Sequence, residues 1–278
     1  MLQKIKFSKM HGLGNDFVII DATRQNVSLS SENIKKISDR HLGIGFDQLL
    51  IVESSHNPRF DFHYKIFNSN GSEAFQCGNG ARCFAVFVKL QGLTDKNSIF
   101  VSTKTTSMIL NIIKDNLVRV DMDAPNFEPS KIPIRMDKFK KFYSIKVNGI
   151  NLKFGMVSVG NPHCVIQVQD ITTTQVNVLG PIIEKHDYFP QSTNVNFMEV
   201  INPNRIRLRV YERGIGETYA CGSGACASVA CGIIQGLLSS EVQVELLGGT
   251  LYISWKGIGK PIHMTGPAIH VYDGCIHI

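Results

Sequence analysis

Apolar residues recur with two periods along this chain, and each period predicts its own kind of element. Strict alternation, or a short apolar run bounded by Gly, Pro, Asn or Asp, marks a strand. Such segments fall at Phe17–Asp21, Gln48–Val52, Phe60–Phe67, Ser107–Ile113, Leu117–Met122, Phe154–Val159, Ile206–Tyr211, Val242–Leu246 and Leu251–Trp255, with a further alternating stretch over Met1–Lys9. Two segments behave differently. Ala81–Gln91 and Ala225–Gln235 are apolar almost all round; they are led by Cys77-Gly-Asn-Gly80 and Cys221-Gly-Ser-Gly224, and stopped by Gly92 and Gly236. A helix with no polar face belongs inside a core, and glycine just past its last turn supplies the left-handed residue that ends it. A surface helix is predicted over Glu32–Arg40, with Ser31 as N-cap and Gly43 just beyond its end.

The two buried helices belong to an internal repeat. Shifted by 144 residues, the chain meets itself in eight identities between positions 73 and 93: Glu73 with Glu217, Cys77 with Cys221, Gly78 with Gly222, Gly80 with Gly224, Ala81 with Ala225, and Gln91-Gly-Leu93 with Gln235-Gly-Leu237. A shift of 146 aligns Gly14-Asn15 with Gly160-Asn161. Two matches in the same order at nearly one offset predict a duplicated domain rather than a solenoid, whose period is roughly 20 to 50 residues. The expected architecture is strands surrounding one buried helix, twice. Pro125, Pro129 and Pro133 lie just inside the second copy and mark the crossing.

Composition narrows the class without naming a chemistry. With 278 residues, 43% of them hydrophobic and 19% charged, the chain can bury a proper core. The longest apolar run is the six residues Cys83–Val88, far short of the roughly 18 that suggest a membrane span. The first residues carry no apolar leader core, and seven cysteines form an odd set; together they point to reduced thiols in a cytosol. No two cysteines have Cys-x-x-Cys spacing, so no metal site is expected. The net charge of +6 is dispersed. Arg205, Arg207 and Arg209 alternate with apolar residues as a solvated strand face, Lys138, Lys140 and Lys141 form the other cluster, and neither accompanies a nucleic-acid motif. An acidic small-molecule substrate is compatible with this balance.

The candidate chemistry lies where each buried helix begins. A thiol there sits beside free backbone N–H groups and the positive end of the helix dipole, an environment expected to favour thiolate. The glycines expose N–H groups to which a carboxylate or small phosphate can dock. For one copy alone, a small buried cysteine at a tight turn is the better explanation. The duplication favours more: two related halves that pack about a pseudo-twofold axis bring two acid–base thiols to one molecule. Stereoinversion at carbon needs that pair, because one group removes a proton and an opposed group returns one to the other face. A hydrolase needs one nucleophile with a partnered base, and a thioredoxin-like exchanger needs Cys-x-x-Cys. On an epimerase or racemase reading, which this logic puts ahead, Cys77, Cys83, Cys164, Cys221, Cys226, Cys231 and Cys275 divide into two working thiols, Cys77 and Cys221, and five that read as packing.

Polar residues at corresponding places extend the site. Asn15 and Asn161 are repeat equivalents, and Asn68 and Asn194 lie near the helix-leading loops; ordinary turn chemistry is the alternative for each. Glu212 and Arg213 suit an ammonium and a carboxylate, with a surface ion pair as the alternative. His163 is a candidate to assist a thiol, or a structural histidine beside Pro162.

Taken in order, Met10-His-Gly-Leu-Gly-Asn-Asp-Phe17, Gly43-Ile-Gly-Phe-Asp-Gln-Leu-Leu50, Asn68-Ser-Asn-Gly-Ser-Glu73, Cys77-Gly-Asn-Gly-Ala-Arg-Cys83, Gly160-Asn-Pro-His163, Asn194-Val-Asn-Phe197 and Tyr211-Glu-Arg-Gly214 through Ala225 resemble the diaminopimelate epimerase family. The resemblance implies an α+β fold of two similar domains, each a mostly antiparallel, barrel-like sheet around a central helix. The domains would span residues 1–121 and 122–265, with 266–278 returning to the first. It implies inversion of LL-2,6-diaminopimelate to the meso form, for lysine and peptidoglycan synthesis, without pyridoxal phosphate or metal. Cys77 and Cys221 become the acid–base pair, and N–H groups around Gly78-Asn79 and Gly222-Ser223 hold the reacting carboxylate. Asn68, Asn161, Asn194 and Arg213 bind the distal centre. Asn15, Gln48 and Glu212 complete the pocket, while His163 and Glu212 help shuttle protons. The family commonly dimerises, and Tyr272 falls in the segment implicated. Asn70 stands where the family usually has Asp. Proline racemase and hydroxyproline epimerase, which share the two-cysteine logic, and a non-catalytic anion-binding module are the competing readings.

Overall fold

The computed structural model describes residues 3–74, 78–104, 107–114 and 116–278. The chain forms two compact units, Met1–Val120 with Gly266–Ile278, and Asp121–Thr265. In the first unit, β1 (Lys4–Gly12) turns back into β2 (Asn15–Asp21), and α1 (Ser31–Ser38) leads to β3 (Gln48–Ser54), which lies parallel to β2. Antiparallel β4 (Phe62–Asn68) follows, then the short β5 (Glu73–Ala74), α2 (Gly78–Leu90), β6 (Ser98–Ser102) parallel to β4, and the antiparallel β7 (Ser107–Lys114) and β8 (Leu117–Met122).

The second unit adds β9 (Tyr143–Val147) and then repeats that order element for element. It runs β10 (Ile150–Ser158), β11 (Pro162–Val168), α3 (Val176–Glu184), β12 (Asn194–Asn202) parallel to β11, β13 (Arg205–Glu212), β14 (Gly216–Thr218), α4 (Gly222–Gln235), β15 (Glu241–Leu246) parallel to β13, β16 (Gly249–Trp255) and β17 (Ile262–Pro267). Strand β18 (Ile269–His277) pairs antiparallel with β1 and so belongs to the first unit. The duplication is carried down to register: Phe17 faces Gln48 across the first parallel pair, and His163 faces Asn194 across the second.

The reason for these elements is burial. Phe17–Ile20 and Leu49–Val52 are buried on both faces, which is why β2 and β3 read as continuous apolar runs and pair in parallel at the centre. Helix α2 is buried from Asn79 to Val88, with Phe84 stacked on Tyr64 at 4.6 Å. Helix α4 is buried through Gly232 apart from Ser223, and Gly236 ends it at φ 79°. Each unit has a second core under its other helix. Ile34 and Ile37 of α1 pack on Ile5, Val18, Ile20 and Leu49; Val176 and Ile183 of α3 pack on Phe154, Cys164, Val195 and Phe197.

Several expectations need correction. Helix α1 is capped by Ser30, one residue earlier than expected, because Asn33 completes a reciprocal capping box with it. It ends at Ser38, where the Asp39 carboxylate takes the N–H groups of His41 and Leu42 at 2.8 and 2.7 Å, and Arg40 leaves the helix to form ion pairs. Helix α3 is not among the predicted elements; it carries Pro181 in its interior, which disfavours a helix locally, and packing on β13 holds it regardless. Arg209 is not a solvated charge: Glu217 pairs with it at 2.6 Å, and the Ile171 and Thr174 carbonyls accept from it. Cys275 is exposed on β18, not packed, whereas Cys83, Cys164, Cys226 and Cys231 are buried. Among the described residues, no helix is long and apolar enough to cross a membrane, and no group of three or more His, Cys, Asp or Glu side chains is arranged to hold a metal ion.

The contact between α3 and β13 gives a test of this packing. A Cβ on Gly180 would lie 2.5 Å from Cγ of Tyr211, at the immobile root of the ring. Gly180→Ala is expected to destabilise the protein by about 1–3 kcal/mol, read as a lower calorimetric melting temperature; an unchanged melting curve would contradict the close approach.

Candidate active site

In the first unit the site is organised by the turn between β1 and β2. Gly12 and Asn15 close a two-residue hairpin in which Leu13 and Gly14 both take positive φ, 58° and 87°, the geometry that matches strand twist. This turn delivers Asn15 at the strand start. Its Nδ2 donates to Asp47 at 2.9 Å, and its Oδ1 accepts from Asn79 Nδ2 at 3.2 Å. Gln48 lies directly across from Asn68, and its Nε2 donates to Asn68 Oδ1 at 3.0 Å. Asn68 in turn donates to Ser72, whose N–H and hydroxyl both reach Asn70 Oδ1, at 2.9 and 2.6 Å. Asn70 therefore serves the turn through an oxygen that an aspartate would also supply. Cys77 lies outside the described residues, while Gly78 and Asn79 open helix α2.

A charge cluster holds this amide layer from behind. Arg40 grips both oxygens of Asp16, at 2.8 and 2.9 Å, and reaches Asp47 at 2.9 Å. Lys9 adds an ion pair to Asp16 at 2.6 Å and donates to the Gly45 carbonyl. Burial alone would raise the Asp16 carboxyl, but the Arg40 and Lys9 hydrogen bonds outweigh it and hold the group at about 2, below its ordinary 3.8.

The second unit presents the matching set. Cys221 is the N-cap of α4, 4% exposed, with its sulfur 3.5 Å from the Ser223 hydroxyl. Ser223 is the repeat equivalent of Asn79, and it meets Asn161 Nδ2 at 3.4 Å just as Asn79 meets Asn15. His163 is fully buried, with Nε2 2.9 Å from Asn161 Oδ1 and 3.1 Å from Ser223 Oγ. Glu212 is adjacent to Cys221 and accepts from the Thr218 hydroxyl at 2.6 Å. Asn194 has both ends of its amide engaged, donating to the Pro162 carbonyl at 2.9 Å and accepting from the Arg213 N–H at 3.0 Å. The Arg213 side chain is exposed, donates to the Gln191 carbonyl at 3.2 Å, and makes no ion pair among the described residues.

The electrostatics reverse one expectation. Burial raises the Cys221 thiol well above its ordinary value and the nearby Glu212 charge adds to that; hydrogen bonds with Ser223 and the Gly224 N–H oppose the rise without cancelling it. The helix start does favour thiolate, but desolvation of the charged form is the larger effect, so the resting thiol is neutral. Burial likewise pushes His163 down to about 3, the Asn196 hydrogen bond opposing and the Arg213 charge assisting. The imidazole is thus neutral near physiological pH, and the proton it holds is an N–H of the neutral ring.

Three residues with no role assigned from sequence support these groups. Asp47 anchors Asn15, and Asn196 touches His163. Arg82, fully buried in α2, donates to the Pro267 carbonyl at 3.2 Å and lies under Gly12, where a Cβ would meet its guanidinium at 3.0 Å. A lone arginine inside an apolar helix was the available signal for it; Asp47 and Asn196 lie in the segments Gly43–Leu50 and Asn194–Phe197 that carry the resemblance, but what they hold is visible only in the fold.

A family model described as diaminopimelate epimerase matches residues 7–128 and 155–271. Among solved structures, a PhzF-family phenazine biosynthesis protein from Bacillus anthracis is 18% identical, with 99% of this chain and 100% of that one covered and a TM-score of 0.68. A hydroxyproline epimerase from Agrobacterium vitis with bound trans-4-hydroxy-L-proline is 10% identical over 99% and 93% of the chains, with a TM-score of 0.72. A methylitaconate-delta-isomerase is 12% identical over 100% and 96%, at 0.65. At these identities the likeness is one of fold.

The Asp16 cluster makes stability depend on pH in a defined sense. A carboxyl held at about 2 in the fold and at 3.8 in the unfolded chain stabilises the protein above the higher value and ceases to as pH falls through the lower one. The contribution is on the order of 2 kcal/mol. Thermal melts from pH 5 to about pH 2 are expected to fall less steeply for Asp16→Asn than for the parent; equal slopes would remove Asp16 as the cause.

Proposed function

The chain belongs to the diaminopimelate epimerase family, and so to the epimerase-type isomerases; on that premise we propose that it converts LL-2,6-diaminopimelate to the meso isomer by two-thiol proton transfer, without pyridoxal phosphate or metal. The observation that carries this reading is Cys221 at the head of α4, sealed from water, with Ser223 and Glu212 beside it. A desolvated thiol is neutral at rest and so has a proton to give; as thiolate it is an unusually strong base, which a weakly acidic α-carbon requires. Cys77 is the second acid–base group. One thiolate removes the α-proton, charge develops on the substrate carboxylate, and the other thiol returns a proton to the opposite face.

The developing charge calls for fixed donors. The N–H groups of Gly222 and Ser223 begin α4, where the helix itself supplies them no acceptor, and those of Gly78 and Asn79 begin α2. In this reading they hold the reacting carboxylate and stabilise its enolate form. Asn68, Asn161, Asn194 and Arg213 take the distal amino-acid group, with Asn15 and Gln48 lining the pocket. Arg213 suits a carboxylate because its guanidinium is exposed and makes no ion pair among the described residues. Glu212 exchanges protons with Cys221, and His163 contributes through its neutral N–H. Tyr272, 43% exposed and edge-on to Phe7 at 6.1 Å, is the proposed contact with a second copy in a cytoplasmic homodimer.

Incubation with LL-diaminopimelate in D₂O is expected to place deuterium at the α-carbon as the meso isomer accumulates. Cys77→Ala and Cys221→Ala should each lower inversion by roughly 1,000-fold or more. Full inversion by either variant would rule out the two-thiol mechanism, and turnover of proline or hydroxyproline in place of diaminopimelate would overturn the substrate.

A further inference from the structure

Behind Ser223 and His163 lies a chain of hydrogen bonds whose direction is decided at its far end. Asn196, on β12 and 0% exposed, places Nδ2 3.0 Å from the Cys164 carbonyl oxygen and 3.1 Å from His163 Nδ1. A carbonyl only accepts, so the amide must turn its NH₂ towards it. The second hydrogen of that NH₂ then meets Nδ1, and because an amide nitrogen does not accept, Nδ1 must carry the lone pair. In a neutral ring the proton is left on Nε2. Nε2 faces Asn161 Oδ1 and Ser223 Oγ, and Asn161 Nδ2 also faces Ser223 Oγ. The single Nε2 hydrogen is shared between Asn161 Oδ1 and Ser223 Oγ; a protonated Nε2 and an amide NH₂ cannot accept from the hydroxyl, so among the described neighbours its hydrogen is directed at the sulfur of Cys221.

The other end of Asn196 shows what this arrangement displaces. Its Oδ1 is buried with no hydrogen-bond partner among the described residues, and it occupies a point 2.6 Å from where a Cβ on Gly224 would stand. An unpaired buried amide oxygen is costly. A side chain chosen for stability alone would avoid it; here the amide is held by what its nitrogen does.

We propose that Asn196 is a positioning residue that fixes His163 in the neutral Nε2–H tautomer and thereby aims the Ser223 hydroxyl hydrogen at the Cys221 sulfur. The hydrogen bond favours the thiolate against the burial that disfavours it. The charged groups facing this chain are Glu212, which acts on Cys221, and Arg213, which acts on His163. The catalytic meaning rests on reading Cys221 as an acid–base group; the hydrogen-bond order does not.

Nitrogen-15 spectra of His163 in the unmodified protein near neutral pH test the order directly. The expected result is an unprotonated Nδ1 and a protonated Nε2; an Nδ1–H ring, or a mixture of tautomers, overturns the proposal. Asn196→Asp keeps the shape but replaces the donor by an acceptor, and is expected to move the proton to Nδ1 or to ionise the ring. Alkylation of Cys221 by iodoacetamide, followed by peptide mass spectrometry, should then slow roughly tenfold, as one unit of thiol pKa implies. Ser223→Ala should slow alkylation similarly while leaving the tautomer as in the parent. An unaltered tautomer in the first variant, or an unaltered alkylation rate in the second, refutes the chain. None of these readouts uses a substrate, so failure to epimerise diaminopimelate leaves them standing.

Discussion

A helix without a polar face can be stable only where strands exclude water from all of it, and in both units the sheet is wrapped to meet that condition. Enclosing α2 and α4 brings their first turns into a dry setting along with the rest. Those turns carry N–H groups for which the helix itself supplies no acceptor, and in a low-dielectric interior each hydrogen bond to them counts for more. This is why the surroundings of both helix starts are amides and hydroxyls, Asn15 with Asn79 in one unit and Asn161 with Ser223 in the other. The same enclosure raises the Cys221 thiol. Burial of the helix and the acid–base character of the sulfur thus have one origin.

The two units reach the same front with different backs. Asn15 is held by Asp47 and, through it, by Arg40, Asp16 and Lys9, a cluster of full charges. Asn161 is held by His163 and Asn196, a chain of neutral dipoles. A charged cluster needs its ions paired wherever it is desolvated, and Arg40 meets that need by bridging two carboxylates. A neutral chain needs every donor matched to an acceptor, and the Cys164 carbonyl sets the sense for the whole sequence of bonds.

What the sequence disclosed follows from which interactions are local. Helices α2 and α4 were legible because apolar composition and a terminal glycine are properties of consecutive residues. The duplication was legible because identities recur at nearly one offset, and Cys221 and Asn161 were found through it, while Ser223 came from the family resemblance. Helix α3 was not, because Gly180-Pro181 argues against a helix locally and its support comes from residues distant in sequence, Phe154, Cys164, Val195 and Phe197 around Val176 and Ile183, with Tyr211 against Gly180. Arg82, Asp47 and Asn196 act on partners far along the chain, so no spacing announces them. The sign of the Cys221 shift was missed for a related reason. The helix start is visible in Cys-Gly-Ser-Gly, but the depth of burial and the nearness of Glu212 exist only once the sheet has closed.

The contrast between the two backs also sets how each copy answers its medium. The Arg40 side chain is 56% exposed, so dissolved ions lie within a Debye length of about 8 Å at physiological salt and screen the cluster behind Asn15. His163 and Asn196 are wholly enclosed and carry no net charge for those ions to screen. Duplication has therefore left one topology with two kinds of backing of unequal sensitivity to ionic strength, charged and screenable behind Asn15, neutral and enclosed behind Asn161.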